Sequence, residues 1–234
     1  MGGWRRALAL AVVLGLTAAA AGAIWYARFQ PDPRRFAVRG IDVSRHQGQV
    51  DWTAVAQDGV RFAYLKASEG GAYRDPSFAG NWTAARRAGL AVGAYHYFTF
   101  CRSGREQAAN FLAATPHAAD ALPPVLDLEF GGNCAMRPGP QMLRRQIEAF
   151  LAPVEAREGK AAILYLTPEF QAAYGDALPD RPLWRRSIAV EPIGGPPWVF
   201  WQYHNRGQVK GVTGPVDLNA YAGGVKGLAR LAGG

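Results

Sequence analysis

The sequence is short of the residues from which most cofactor and metal sites are built. Only two cysteines occur in 234 residues, Cys101 and Cys134, and two thiols alone cannot complete a structural zinc site. His46, His96, His117 and His204 are widely spaced and show no HExxH pattern, so each reads as a hydrogen-bonded loop or core residue and no metal is expected. The glycine pairs Gly131-Gly132, Gly194-Gly195 and Gly223-Gly224 lack a flanking Lys-Ser/Thr or a spaced third glycine, which argues against a nucleotide enzyme. A Gly-x-Ser-x-Gly elbow is also missing, which argues against a Ser-His-Asp hydrolase. No cofactor is called for. Charged residues make up only 19% of the chain against 49% hydrophobic, a balance that excludes disorder and fits one globular body.

The charge is nonetheless lopsided. Lys and Arg number 26 against 18 Asp and Glu, a net charge of +8, so the surface should attract acidic polymers. The basic residues fall in scattered pairs, Arg34-Arg35, Arg86-Arg87, Arg144-Arg145 and Arg185-Arg186. Without a long basic run or an RNA-binding signature they read as solvated surface, and no nucleic-acid partner is expected.

One apolar run stands apart. Arg5 and Arg6 precede an uncharged stretch from Ala7 to Ala27, roughly 21 residues where a membrane-crossing helix needs about 20. Trp25 and Tyr26 sit where an interfacial aromatic belt would fall. Residues 1–29 are therefore read as a single transmembrane anchor or as a signal peptide, for which the small-residue run Ala18 to Ala23 offers cleavage sites; the lean is to the anchor. Residues 30–38, with Pro31 and Pro33, read as an extended linker. The body, 39–234, is expected to be exported to the periplasmic or extracellular face. In an oxidising compartment Cys101 and Cys134 suggest one disulfide, worth about 3–4 kcal/mol by loop entropy; two buried free thiols are the rival.

Within the body, short apolar runs alternate with amphipathic segments. Candidate strands are Arg39–Val43, Val60–Lys66, Leu90–Phe98, Pro124–Glu129 and Ala161–Leu166. Between them, Asp75-Pro76, Ser103 with Glu106, and Thr167-Pro168 read as helix starts. Leu143, Ile147, Phe150, Leu151 and Val154 keep the spacing of one packed helix face. Three further candidates, Leu183–Val190, Trp198–Tyr203 and Val209–Leu218, follow with gaps too short for crossover helices, so hairpin pairing is expected there. Five strand-helix units plus three helix-poor strands predict an irregular (β/α)5β3 barrel of α/β class, with its functional face at the C-terminal strand ends.

Acidic residues cluster at those predicted ends: Asp42, Asp127, Glu129 and Asp217. Residues i and i+2 of a strand face one side, so Asp127 and Glu129 should share the barrel interior. Crowded, partly buried carboxylates repel when ionised, which raises one pKa and keeps a proton available. Glycosidic hydrolysis needs such an acid and a second carboxylate. A structural ion pair or helix cap is the plainer alternative. Tyr64, Tyr95, Tyr97, Phe98, Tyr165, Trp201 and Tyr203 lie near the same ends, where about half would line a groove and the rest fill the core.

Taken in order, Gly40-Ile41-Asp42-Val43-Ser44 with Gln47, Asp51-Trp52, Lys66-Ala67-Ser68-Glu69-Gly70, Gly93-Ala94-Tyr95-His96-Tyr97-Phe98, Leu126-Asp127-Leu128-Glu129, Trp201-Gln202-Tyr203 and Val216-Asp217-Leu218-Asn219 resemble the glycoside hydrolase family 25 lysozymes, the Chalaropsis-type muramidases. The resemblance implies a flattened (β/α)5β3 barrel that cleaves the β-1,4 bond from N-acetylmuramic acid to N-acetylglucosamine in peptidoglycan. By position it makes Glu129 the proton donor, Asp127 its partner, and Asp42 and Asp217 the other two acids of the site. Glu69, Tyr95, Tyr97, Tyr165, Trp201 and Gln202 are the expected sugar contacts. Retention through the substrate's own acetamido group, oriented by Asp127, and inversion through an activated water both fit these motifs. Two departures stand out: Leu183-Trp184-Arg185-Arg186-Ser187-Ile188 replaces the Trp-x-Ala-x-Tyr of many relatives, and the two cysteines are not a general family feature. The expectation is a monomeric muramidase acting on glycan strands. The alternatives are a catalytically inactive wall-binding module on the same barrel and a glycosidase for another amino-sugar polymer.

Overall fold

A computed structural model describes residues 3–233. It separates into two units, one ending at Gln30 and one beginning at Pro31. In the first, α1 (Gly3–Arg28) is an apolar helix with no buried residue. Its 26 residues give a length of roughly 39 Å, more than the ~30 Å of a bilayer core.

The second unit is a closed barrel. Its strands are β1 (Val38–Val43), β2 (Val60–Glu69), β4 (Ala91–Tyr97), β5 (Val125–Leu128), β6 (Ile163–Leu166), β7 (Leu183–Arg186), β8 (Trp198–Gly207) and β9 (Val216–Tyr221), and a two-residue β3 (Tyr73–Arg74) hangs on β2 as a hairpin. Pairing runs parallel from β1 through β2, β4, β5, β6, β7 and β8; antiparallel β9 closes the ring between β8 and β1. The expected eight-stranded barrel is present. The expected hairpin between the sixth and seventh barrel strands is not: β7 and β8 are parallel. The helix-free segment 187–197, carrying Pro192, Gly194, Gly195, Pro196 and Pro197, makes that crossing as an irregular loop. Only β9 reverses.

Around the barrel lie α2 (Trp52–Gln57), α3 (Phe78–Arg87), α4 (Gly104–Ala114), α5 (Pro140–Glu158), α6 (Pro168–Tyr174) and α7 (Gly224–Gly233). Thr167 caps α6 with Pro168 in its first turn, and Ser103 caps α4 by accepting from the Glu106 amide. The expected cap Asp75 does not start α3, whose N-cap is Ser77. Asp75 is buried and accepts instead from the Ser77 and Arg45 amides, tying the turn before α3 to the end of β1. All five residues of the α5 stripe are buried.

The barrel interior is filled by rings. Phe62, Tyr64, Tyr165, Trp184, Phe200 and Tyr221 form its core with Val38, Val125 and Ile163. Two glycines make the room. A Cβ on Gly40 would lie 2.3 Å from the Phe62 ring and one on Gly93 would lie 2.2 Å from Tyr64. Period-2 alternation carries the same inward face up each strand to the mouth.

Candidate active site

The inward position above this aromatic plug is acidic. Asp42 near the end of β1, Asp127 in β5 and Glu129 one step beyond it line a cleft of about 270 Å³ with Asp217, Tyr95, Tyr165, Trp184, Arg186, Gln202 and Asn205. Asp217 arrives from the other direction. It stands near the start of β9, not at a C-terminal strand end, and reaches the same mouth because β9 is antiparallel and pairs it directly with Asp42.

Hydrogen bonds order the left side of the cleft. Trp184 Nε1 donates to Asn219 Oδ1 at 3.0 Å, and Asn219 Nδ2 donates to Asp42 Oδ2 at 2.7 Å. Gln202 Nε2 donates to the same Asp42 oxygen at 3.3 Å while its carbonyl accepts from Tyr165 Oη at 2.8 Å. Asp42 and Asp217 also share a side-chain hydrogen bond. Burial lifts Asp42 to about 6 against the pull of these donors. Burial and the neighbouring Asp42 charge lift Asp217 to about 9. At neutral pH Asp217 therefore holds the proton and donates it to an Asp42 carboxylate.

The other side offers fewer donors. Asp127 is pushed well above the carboxylate range, first by burial and then by the charge of Glu129, and its Oδ1 has no hydrogen-bond partner among the described residues. Glu129 is also raised by burial, with Arg186 pulling it back. The sequence reading has Glu129 protonated and Asp127 ionised. In the free protein the stronger push falls on Asp127, because it sits inside the strand while Glu129 lies beyond the strand end facing a guanidinium.

The expected sugar contacts divide. Tyr95, Tyr165 and Gln202 line the cleft. Tyr97 is buried, with Lys66 Nζ 4.8 Å over its ring and its hydroxyl donating to the Gly131 carbonyl. Glu69 pairs with Lys66 at 2.6 Å and lies in a separate depression beside Arg45, His46 and Tyr73. Trp201 is not at the cleft. Gln202 faces inward, so its neighbour faces out: Trp201 is 2% exposed, donates to Ser187 O at 2.7 Å and packs on Phe36 and Tyr203. His96, lowered to about 3 by burial, is a core residue bonded to Ser68 and Gln107.

Cys101 and Cys134 form a disulfide between the loops that follow β4 and β5, so the free-thiol alternative falls. Beside it Asn133 Nδ2 donates to the Phe98 and Glu129 carbonyls at 2.8 and 3.0 Å, and its Oδ1 accepts from the amides of Phe100 and Cys134. Asn133 escapes sequence reading, since its partners lie on two loops. Arg186 was legible in principle: Trp184 at i−2 is a barrel-filling residue, and alternation puts both on one face.

A model of the family "Glycosyl hydrolases family 25" matches residues 41–212. The uncharacterized protein YegX of Escherichia coli K12 is 38% identical over 207 residues, 84% of this chain and 74% of that one. Lysozyme M1 of Streptomyces globisporus is 35% identical over 209 residues, 83% of this chain and 71% of its own length. Among solved structures, a family 25 glycosyl hydrolase from Bacillus anthracis superimposes with a TM-score of 0.81 at 34% identity, covering 87% of this chain and 97% of that one.

Proposed function

Since this chain belongs to glycosyl hydrolase family 25 and is a glycoside hydrolase, we propose that it is a peptidoglycan muramidase that cleaves the β-1,4 bond between N-acetylmuramic acid and N-acetylglucosamine, with Glu129 as general acid and Asp127, Asp42 and Asp217 completing the site. The observation that carries this reading is the pairing of Asp127 and Glu129 in one buried cleft, both with raised proton affinity.

The proton starts on the deeper acid. Asp127 Oδ1 lacks a donor, and the acetamido N–H of a bound sugar is of the kind that would satisfy it. A hydrogen bond to the ionised form lowers a carboxyl pKa. Binding would thus pass the Asp127 proton to Glu129, which gives it to the leaving oxygen, while ionised Asp127 orients the acetamido group. Asp42, held ionised by Asn219, Gln202 and Asp217, would support the oxocarbenium-like centre.

The single test is turbidity clearing of purified cell wall by the full chain in detergent, with muropeptide identification. Clearing by wild type and its loss in Glu129→Gln are expected. If both are inert yet both sediment with the wall, the chain is a binding module, and cleavage of chitin in preference to wall would make it a glycosidase of another amino-sugar polymer.

We also propose that α1 stays uncleaved as an anchor, with residues 30–38 as spacer, holding a monomeric barrel outside the membrane. The support is an apolar helix of 26 residues with none buried, ending at Arg28 behind Trp25 and Tyr26. Membrane fractionation with N-terminal sequencing distinguishes this from a cleaved signal.

A further inference from the structure

Among the described residues lining the catalytic cleft, Arg186 is the lone basic one. It is the last inward residue of β7, and Glu169 from α6 fixes it through one hydrogen bond of 3.0 Å. The Arg186 side chain stays 28% exposed. A guanidinium has five N–H donors in a planar fork; one is engaged by Glu169, and the side chain lines the cleft with the others open. Arg186 even opposes the chemistry in the free protein, because its charge favours ionised Glu129. Both features make sense if an anion arrives with the substrate: pairing with Arg186 would satisfy the open fork and offset its field at Glu129.

Resting on the muramidase reading above, we propose that Arg186, oriented by Glu169, is a specificity-determining residue that pairs with a carboxylate carried by the glycan and selects acidic muramyl strands over neutral ones. Two sources share this chemistry: the lactyl carboxylate of muramic acid, free where the stem peptide is absent, and the carboxylates of the stem peptide itself. A carboxylate fits the guanidinium fork in bidentate fashion, which a lysine cannot reproduce.

The test measures kcat/KM of the full-length protein on soluble stem-bearing glycan and on amidase-stripped glycan, each before and after carbodiimide amidation of its carboxyls. Wild type should prefer the carboxyl-bearing form, and in Arg186→Gln that preference should shrink about tenfold, the scale of one charge-assisted hydrogen bond. Arg186→Lys should keep an intermediate preference, and Glu169→Gln should lose part of it. The substrate pair showing the larger collapse identifies the source. Because any effect of Arg186 on Glu129 multiplies both members of a pair, the ratio isolates recognition. Equal losses on native and amidated glycan, or no wild-type preference, would overturn the proposal. If wild type cleaves none of the four, the muramidase reading fails and the inference with it.

Discussion

Asp42 and Asp217 face each other across the antiparallel β1–β9 pair and share a hydrogen bond. Two carboxyls can do so only if one keeps a proton, and Asp217, lifted to about 9, is the one that does. Its unfolded value is near the ordinary ~3.9. The folded state therefore binds this proton more tightly, and the stability it lends is complete below about pH 4 and drains away as pH rises towards 9. Asp217→Asn keeps a neutral N–H donor to Asp42 at every pH. Calorimetry across pH 5 to 9 should show a steeper fall in Tm for wild type than for Asp217→Asn. Parallel slopes would mean that Asp217 is not the proton holder.

Glu129 is raised by burial, Asp42 and Glu169 and lowered by Arg186 and Lys66. Removing the Arg186 charge takes away the largest downward influence. A general acid works only while protonated, so in Arg186→Gln the alkaline limb of kcat/KM, which reports the free protein, should move to higher pH even as its plateau on acidic glycan drops. A pH-rate profile on one substrate checks this. A limb that stays put or moves down would separate Arg186 from Glu129.

What was legible in the sequence followed from chain-local rules. Period 2 placed Asp127 inside the barrel, the α5 stripe from Leu143 to Val154 predicted a buried face, and Thr167-Pro168 marked a helix start. What was lost depended on partners far along the chain. The parallel β7–β8 pairing was hidden because a helix-free link looks the same whether it turns back or crosses. Trp201 looked like a sugar platform because aromatic rings at a strand end carry no sign of which face they take; only Gln202 bonded to Asp42 fixes that. Arg186 beside Arg185 reads as solvated surface by residue type, and its i+2 relation to Trp184 is the weaker signal that places it inside. Asp75 fits a cap by composition, yet the amides it serves belong to Arg45 and Ser77.

Asn133 bridges the two loops of the mouth and binds the carbonyl of Glu129 itself. Asn133→Ala should let the acid drift, and displacements of about 1 Å can reduce rates about a hundredfold. The loss should appear in kcat far more than in KM, since no sugar contact is removed. A change confined to KM would refute a positioning role.

The Cys101–Cys134 disulfide closes a loop of sequence separation 33, which by chain entropy is worth about 3–4 kcal/mol. For a body of this size, a loss on that scale should lower Tm by roughly 6–15 °C. Cys101→Ala with Cys134→Ala, compared with reductant-treated wild type, checks it: both should melt at the same reduced temperature. A double variant as stable as the oxidised protein would show that Asn133 and the surrounding packing hold the loops without the bridge.

Trp201 gives the sharpest contrast between core and cleft. Its indole is buried on the outer face of β8 and bonded to Ser187 O, so shortening it removes packing and one hydrogen bond. Trp201→Leu should cost about 2–4 kcal/mol of stability. Assayed below its melting transition and normalised to folded protein, its kcat/KM on cell wall should stay within about twofold of wild type, whereas losing a stacked sugar platform should reduce it at least about tenfold. A stable Trp201→Leu protein with badly weakened turnover would place this ring against the glycan and reverse the assignment made from the Gln202 side of the strand.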